Sequence, residues 1–119
     1  MSTIIIYGIP NCDAVKKTLD WFKKHKKTIV FYNYKKESIS KEKLTAWCKQ
    51  LGWEILLNKK STTWRGLSAD KQTTITTQAA AIKLMQANTS IIKRPIIEFG
   101  NHLLVGFDEK QLIAMGLHF

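Results

Sequence analysis

Cys12 is the residue of this chain whose type and position most directly suggest chemistry. It follows the turn sequence Gly8-Ile9-Pro10-Asn11, which separates an apolar segment from a segment with helical periodicity. A thiol at the start of a helix faces free N–H groups and the positive end of the helix dipole, which favour thiolate over thiol. Because thiolate is the nucleophile, this position predicts a reactive cysteine; a small buried cysteine in a turn is the alternative interpretation.

The other cysteine, Cys48, is predicted to be an inert core thiol. It lies on an apolar stripe of a predicted helix together with Leu44, Trp47 and Leu51. Cysteine on such a stripe usually behaves as a small hydrophobic side chain. Two cysteines are also too few for a disulfide framework, so both are expected to be thiols at rest.

Composition narrows the classes of function. The net charge of +10 favours anionic partners, which include nucleic acid, a small acidic thiol and an oxyanion. No nucleic-acid-reading motif accompanies the lysines, so nucleic acid is not the expected partner. The scattered histidines lack metal-ligand spacing, which predicts no metal site. No apolar run reaches the roughly 18 residues of a membrane span, and the start lacks the basic region of a signal peptide. We therefore expect a cytoplasmic protein with no membrane partner.

The elements around Cys12 are predicted to form a βαβ unit. Residues 3–7 are apolar and β-branched, which indicates a buried strand, and residues 28–34 indicate a second strand. Residues 13–26 between them indicate a helix. Its apolar positions recur at Val15, Leu19 and Phe22. Asn11 or Asp13 would cap this helix, although Asn11, next to the thiol, is equally placed to contact a substrate.

The rest of the chain is predicted to be helical and then to end in a ββα unit. A helix runs from the cap Ser40 to about Leu51 and ends at Gly52, and residues 78–88 are good helix formers. Residues 53–77 are ambiguous, with short helical turns expected near 55–57 and 67–71.

Two short apolar runs, 96–99 and 102–105, flank Gly100-Asn101 and predict a β-hairpin. Asp108 is expected to cap a last helix, with Gln111 completing a capping box and Gly116 ending the helix. The order βαβ, helices, ββα is the outline of an α/β thioredoxin-like fold with a helical insertion between its halves. We predict a single domain over residues 1–119, with the insertion at about 38–90 and with Cys12 next to Arg94-Pro95.

Three segments make the sequence similar to a known family. They are Ile6-Tyr7-Gly8-Ile9-Pro10-Asn11-Cys12-Asp13-Ala14-Val15-Lys16-Lys17, Thr63-Trp64-Arg65-Gly66-Leu67 and Lys93-Arg94-Pro95-Ile96-Ile97. In order and spacing they resemble the arsenate reductase (ArsC)/Spx family, and within it the YffB-type branch. The resemblance implies a thioredoxin-like fold with a helical insertion. It also implies one nucleophilic cysteine, arginines that hold an oxyanion, and recycling of the cysteine by glutathione and glutaredoxin.

The resemblance assigns roles to individual residues. Cys12 matches the catalytic cysteine of the family. Arg65 and Arg94 match its arginines, Pro95 matches a cis proline, and Lys16 stands where arsenate reductases carry an arginine. These residues, with Asn11, are the predicted substrate-binding set.

Departures from the family pattern change the expected substrate. Gly8 and Val15 stand where arsenate reductases carry a histidine and a serine, and the segment Val105-Gly106-Phe107-Asp108 replaces their third arginine. Arsenate is therefore not the expected main substrate. Ile9 and Val15, three residues on either side of Cys12, also exclude the Cys-x-x-Cys switch that Spx-type regulators usually carry.

Two main functions remain open at this point, and nucleic-acid binding through the lysine-rich surface is a third, weaker alternative. The first is a thiol-disulfide oxidoreductase that uses Cys12, with glutathione as co-substrate, no bound cofactor, and a small thiol, a disulfide or glutaredoxin as its partner. The second is a non-catalytic interaction module of Spx type, which would bind RNA polymerase or another protein.

Overall fold

The computed structural model describes residues 3–114. The chain divides into two compact units. The first contains the residues up to Tyr34 together with those from Arg94 onward, and the second contains Lys35–Lys93. No helix in the described part has the length and apolar content needed to cross a bilayer.

A four-stranded sheet forms the centre of the first unit, in the order β2-β1-β3-β4. The strands are β1 (Ile4–Gly8), β2 (Ile29–Asn33), β3 (Ile96–Phe99) and β4 (His102–Val105). Strands β1 and β2 are parallel because helix α1 (Asp13–Lys24) carries the chain back between them. Strand β3 runs antiparallel to both β1 and β4, so the hairpin completes the sheet.

Helix α1 packs its apolar face on this sheet. The buried cluster of the first unit comprises Ile4, Ile6, Trp21, Phe22, Ile97 and Leu112. Trp21 also donates a hydrogen bond from Nε1 to Oε2 of Glu109 at 2.6 Å, which joins α1 to the last helix, Glu109–Ala114. Contacts with the sheet and with Glu109 therefore hold α1 in place.

Short helices make up the second unit. In chain order they are α2 (Tyr34–Glu37), α3 (Lys41–Leu51), α4 (Trp53–Leu56), α5 (Thr62–Arg65), α6 (Ala69–Thr73) and α7 (Gln78–Ala87). The first residue of α2, Tyr34, is the last residue of the first unit before the insertion. The helix Glu109–Ala114, which follows the hairpin, is α8. Four of the helices in the second unit begin at a hydroxyl side chain that accepts a hydrogen bond from a first-turn N–H group. These caps are Ser40, Ser61, Ser68 and Thr77.

The predicted thioredoxin-like order of elements is confirmed. The hairpin has the predicted bounds. The second unit spans Lys35–Lys93, and the insertion at about 38–90 stays a prediction. Helices α2 and α5 were not predicted. The proposed cap of α1 was wrong, since the N-cap position belongs to Cys12 and not to Asn11 or Asp13. Gly116, the predicted end of the last helix, lies outside the described residues, and the single domain stays a prediction.

Candidate active site

One edge of the sheet brings the candidate residues of the first unit together. Strand β1 ends at Gly8, which pairs with Asn33 at the end of β2, and Tyr7 pairs with Ile96 at the start of β3. The loop after β1, the residue after β2 and the residues before β3 therefore meet at the same edge. These positions hold Cys12, Tyr34 and Arg94-Pro95, respectively.

Cys12 occupies the N-cap position of α1. Its backbone is extended, with φ −148° and ψ 125°, and its carbonyl accepts the first helical hydrogen bond from Lys16 N at 2.9 Å. The residue is partly exposed, so a reagent can reach it. The side chain accepts no hydrogen bond from the N–H groups of the first helical turn, although it lies at the positive end of the helix dipole.

Arg94 links this thiol to the rest of the first unit. Its guanidinium is hydrogen-bonded to the side chain of Cys12 and to that of Tyr34. Burial acts to lower the pKa of Arg94, but the two hydrogen bonds and the charges beside it outweigh burial and leave the pKa raised. Arg94 therefore stays a cation next to the sulfur at every pH at which the protein is folded.

The peptide bond between Arg94 and Pro95 is cis, as the family resemblance implies. Pro95 is buried, and its carbonyl accepts a hydrogen bond from Gly106 N at 2.8 Å. Gly106 has a φ of 82° and lies in the segment that replaces the third arginine of arsenate reductases. That segment therefore contributes backbone, rather than a guanidinium, beside Pro95.

Tyr34 is a site residue that sequence reasoning missed. Its side chain is completely buried and hydrogen-bonded to Arg94. Burial raises the pKa of Tyr34 to about 12, although the charge of Arg94 and its hydrogen bond oppose the rise. The available signal was its place directly after the second strand of a predicted parallel pair, because the carboxyl ends of such strands meet at one edge.

Gly8 and Val15, two departures from the arsenate reductase pattern, are physically coupled. A Cβ atom at Gly8 would lie 2.7 Å from Cγ2 of Val15 and 3.8 Å from Cβ of Arg94. Val15 is fully buried and cannot move aside without repacking. A larger side chain at position 8 therefore requires a smaller one at position 15.

The other predicted binding residues are exposed side chains. Asn11 is exposed in the loop before Cys12, and Lys16 is exposed on the first turn of α1. Arg65 is exposed at the end of α5 in the second unit. Within residues 3–114, the side chains of these three residues make no hydrogen bond or ion pair with one another or with other described residues. Their roles toward a substrate stay predictions.

Cys48 has the opposite environment to Cys12. It is 4% exposed, on the buried face of α3, and burial raises the pKa of its thiol. Among the described residues, no three His, Cys, Asp or Glu side chains come close enough to hold a metal ion.

The comparison with known proteins agrees with this architecture. A family model described as the ArsC family matches residues 7–115. A protein of Haemophilus influenzae with no assigned function is 38% identical over 111 residues, covering 93% of this chain and 96% of that one. The solved structure of a protein named YFFB has a TM-score of 0.89 at 40% identity, covering 94% of this chain and 97% of that one.

Regulators are also among the similar proteins. The global transcriptional regulator Spx of Streptococcus agalactiae is 25% identical over 113 residues, covering 93% of this chain and 81% of the regulator. The family match covers most of the chain and includes Cys12, Arg94 and Pro95. With its thioredoxin-like fold and a cysteine at the start of the helix that follows the first strand, the chain belongs to the ArsC family.

Proposed function

We propose that this protein is a glutathione-dependent thiol-disulfide oxidoreductase whose nucleophile is Cys12. The observation that carries the proposal is the hydrogen bond from the Arg94 guanidinium to a partly exposed thiol at the N-terminus of α1. A cation and a helix N-terminus both stabilise the thiolate, which is the form that attacks disulfides.

The reaction has two exchanges of sulfur. In the first, the Cys12 thiolate attacks the glutathione sulfur of a mixed disulfide, R–S–S–G; the S–S bond breaks and R–S⁻ leaves, taking a proton from water. In the second, the thiolate of free glutathione attacks the glutathione sulfur now bound to Cys12. Oxidised glutathione leaves and the Cys12 thiolate returns. In total, the substrate is released as the thiol R–SH. The oxidised glutathione contains one glutathione from the mixed disulfide and one that was free in solution.

The second thiol has to come from solution. Cys48 is the only other cysteine in the sequence, and it is buried with a raised pKa. Glutathione fits this role because it is an acidic thiol and the protein carries a net charge of +10. Its carboxylates would pair with Arg94 and with Lys16 as a further cation, while the extended backbone at Pro95 would bind the peptide.

Arsenate is a weaker substrate candidate. Residues 105–108 supply no arginine where arsenate reductases have their third, so an oxyanion would lack one of its cationic contacts. A reductase of organic disulfides needs only the thiolate and a binding surface for glutathione.

Intact mass after incubation with oxidised glutathione tests the proposal. We expect one glutathione adduct on the wild type and on Cys48→Ala, and none on Cys12→Ser. Addition of reduced glutathione should remove the adduct, and the wild type should turn over the mixed disulfide of glutathione and 2-mercaptoethanol. A wild type that gains no adduct and shows no turnover would refute the proposal.

The similarity to Spx supports a second candidate, a protein-interaction module. In that case Cys12→Ser would bind RNA polymerase as tightly as the wild type, and the wild type would lack disulfide turnover. Binding that depends on neither redox state nor Cys12 would favour the module over the enzyme.

A further inference from the structure

We infer that Tyr34 is a positioning residue, whose hydroxyl holds the guanidinium of Arg94 against the sulfur of Cys12. This inference rests on the proposed function, because it names a residue that sets the reactivity of the same thiol. None of the chemistry passes through Tyr34 itself; the residue acts through Arg94.

The fold keeps Tyr34 in one place. It directly follows β2, whose last residue, Asn33, pairs with the end of β1, and its side chain has no exposed surface. An arginine side chain is long and has many rotamers in solution, so its average position beside a partly exposed sulfur would be broad. A hydrogen bond to a fixed, buried phenol removes most of that freedom.

The geometry of the donors suits this role. A guanidinium carries five N–H donors in one plane, so Arg94 can donate to the Tyr34 oxygen and to the Cys12 sulfur at the same time. The phenol accepts a hydrogen bond without bringing a second negative charge to the site, since burial keeps it protonated over the working range of pH. Arg94 therefore keeps its full charge for the sulfur.

Deleting the hydroxyl oxygen of Tyr34 distinguishes its positioning role from a role in core packing. Tyr34→Phe keeps the buried ring and deletes only the acceptor. Tyr32→Phe is a matched control, because Tyr32 lies two residues earlier, on β2, and its ring contacts Tyr7. Both changes are made in a Cys48→Ala background, so that Cys12 is the only thiol available for alkylation.

The measurement is the rate of Cys12 alkylation by iodoacetamide as a function of pH. In Tyr34→Phe we expect the rate at pH 7 to fall by about three- to tenfold, with the whole profile displaced to higher pH. Tyr32→Phe should keep the wild-type profile. Arg94→Met should show at least the same displacement, and adding Tyr34→Phe to Arg94→Met should change nothing further.

Two results would overturn the inference. One is a Tyr34→Phe profile that superimposes on the wild-type profile. The other is an effect of Tyr34→Phe that persists at full size without Arg94. If Tyr34→Phe does not fold, Arg94→Lys gives the same answer, because an ammonium lacks the fork that reaches both acceptors; an unchanged profile in Arg94→Lys would overturn the inference as well.

Failure of the proposed function gives a different pattern. A wild type that forms no glutathione adduct but shows the Tyr34-dependent profile would refute the oxidoreductase and leave the positioning role intact. If the wild type forms the adduct and Tyr34→Phe leaves the alkylation profile unchanged, the oxidoreductase is supported and the positioning role is refuted.

Discussion

Cys12 and Cys48 show how environment divides one residue type into two kinds of thiol. Cys12 is partly exposed and hydrogen-bonded by Arg94, at the start of a helix. Cys48 is buried in α3, where burial raises the pKa of its thiol. Only the first environment combines partial exposure with a cation beside the sulfur.

Differential alkylation would test this contrast. At pH 7 in the native state, iodoacetamide should modify Cys12 more than about tenfold faster than Cys48, because the reagent needs an accessible thiolate. Peptide mass spectrometry identifies the modified residue. In Cys12→Ser, the remaining thiol should react only after addition of denaturant; rapid native labelling of Cys48 would contradict the buried environment described for it.

At the residue level, the sequence singled out Cys12 and Arg94, which the structure brings together, but it did not single out Tyr34. Cys12 and the Arg94-Pro95 pair stand in recognisable positions relative to the predicted elements and the family motifs. Tyr34 lies in no such motif, and an aromatic residue at the end of a strand usually packs in the core. Its hydroxyl acquires a role only through a contact with Arg94, and no local pattern encodes a partner so distant in sequence.

At the scale of elements, the fit of α1 against β1 determines how close Cys12 comes to the sheet. The close approach occurs where Gly8, at the end of the strand, faces Val15 on the helix. A β-carbon at position 8 would overlap the valine methyl group, so glycine is required here by space and not by backbone conformation.

A double-mutant cycle would measure this contact. Gly8→Ala should lower the free energy of unfolding by about 1–3 kcal/mol, because the added methyl group forces repacking around Val15. Val15→Ala alone should also destabilise the fold, by leaving a cavity. The double variant should lose less than the sum of the two, as measured by urea denaturation. Strict additivity would show that the two side chains do not compete for the same space.

Elements with strong local signals were predicted well. The hairpin and the helices beginning after Ser40 and Thr77 have turn residues, caps and length that identify them. Helices α2 and α5 are each four residues long, too short for a periodic pattern. Their formation depends on the contacts made by the folded chain.

At the scale of the whole molecule, two buried tyrosines make stability depend on alkaline pH. The hydroxyl of Tyr7 donates to Oε1 of Glu98 at 2.6 Å, and burial, assisted by this carboxylate, raises the pKa of Tyr7. Burial also raises the pKa of Tyr34, to about 12. Both groups are therefore protonated more strongly in the folded chain than in the unfolded chain.

This linkage predicts a loss of stability above pH 10. Between about pH 10, where an exposed tyrosine ionises, and about pH 12, the unfolded chain releases the Tyr34 proton while the folded chain retains it. The contribution of Tyr34 is complete below this window and is lost as pH rises through it, by at most about 3 kcal/mol.

Urea denaturation at several pH values would measure this effect. Below pH 9 the wild type and Tyr34→Phe should differ by a constant amount, and between pH 10 and 12 the wild type should lose stability more steeply. Comparing the two proteins at each pH cancels the titration of the many lysines. Equal slopes would indicate that Tyr34 titrates as an exposed residue.

The chain leaves the first unit at Tyr34 and returns to it at Arg94, and these two residues are hydrogen-bonded to each other. The two ends of the helical segment are therefore adjacent. Because the entropic cost of closing a segment grows only slowly with its length, a longer or shorter segment would change this cost little. A segment of another length could begin and end at the same two residues without changing the contacts of Arg94 with Tyr34 and Cys12. The position of the insertion therefore permits a change in the length of this segment.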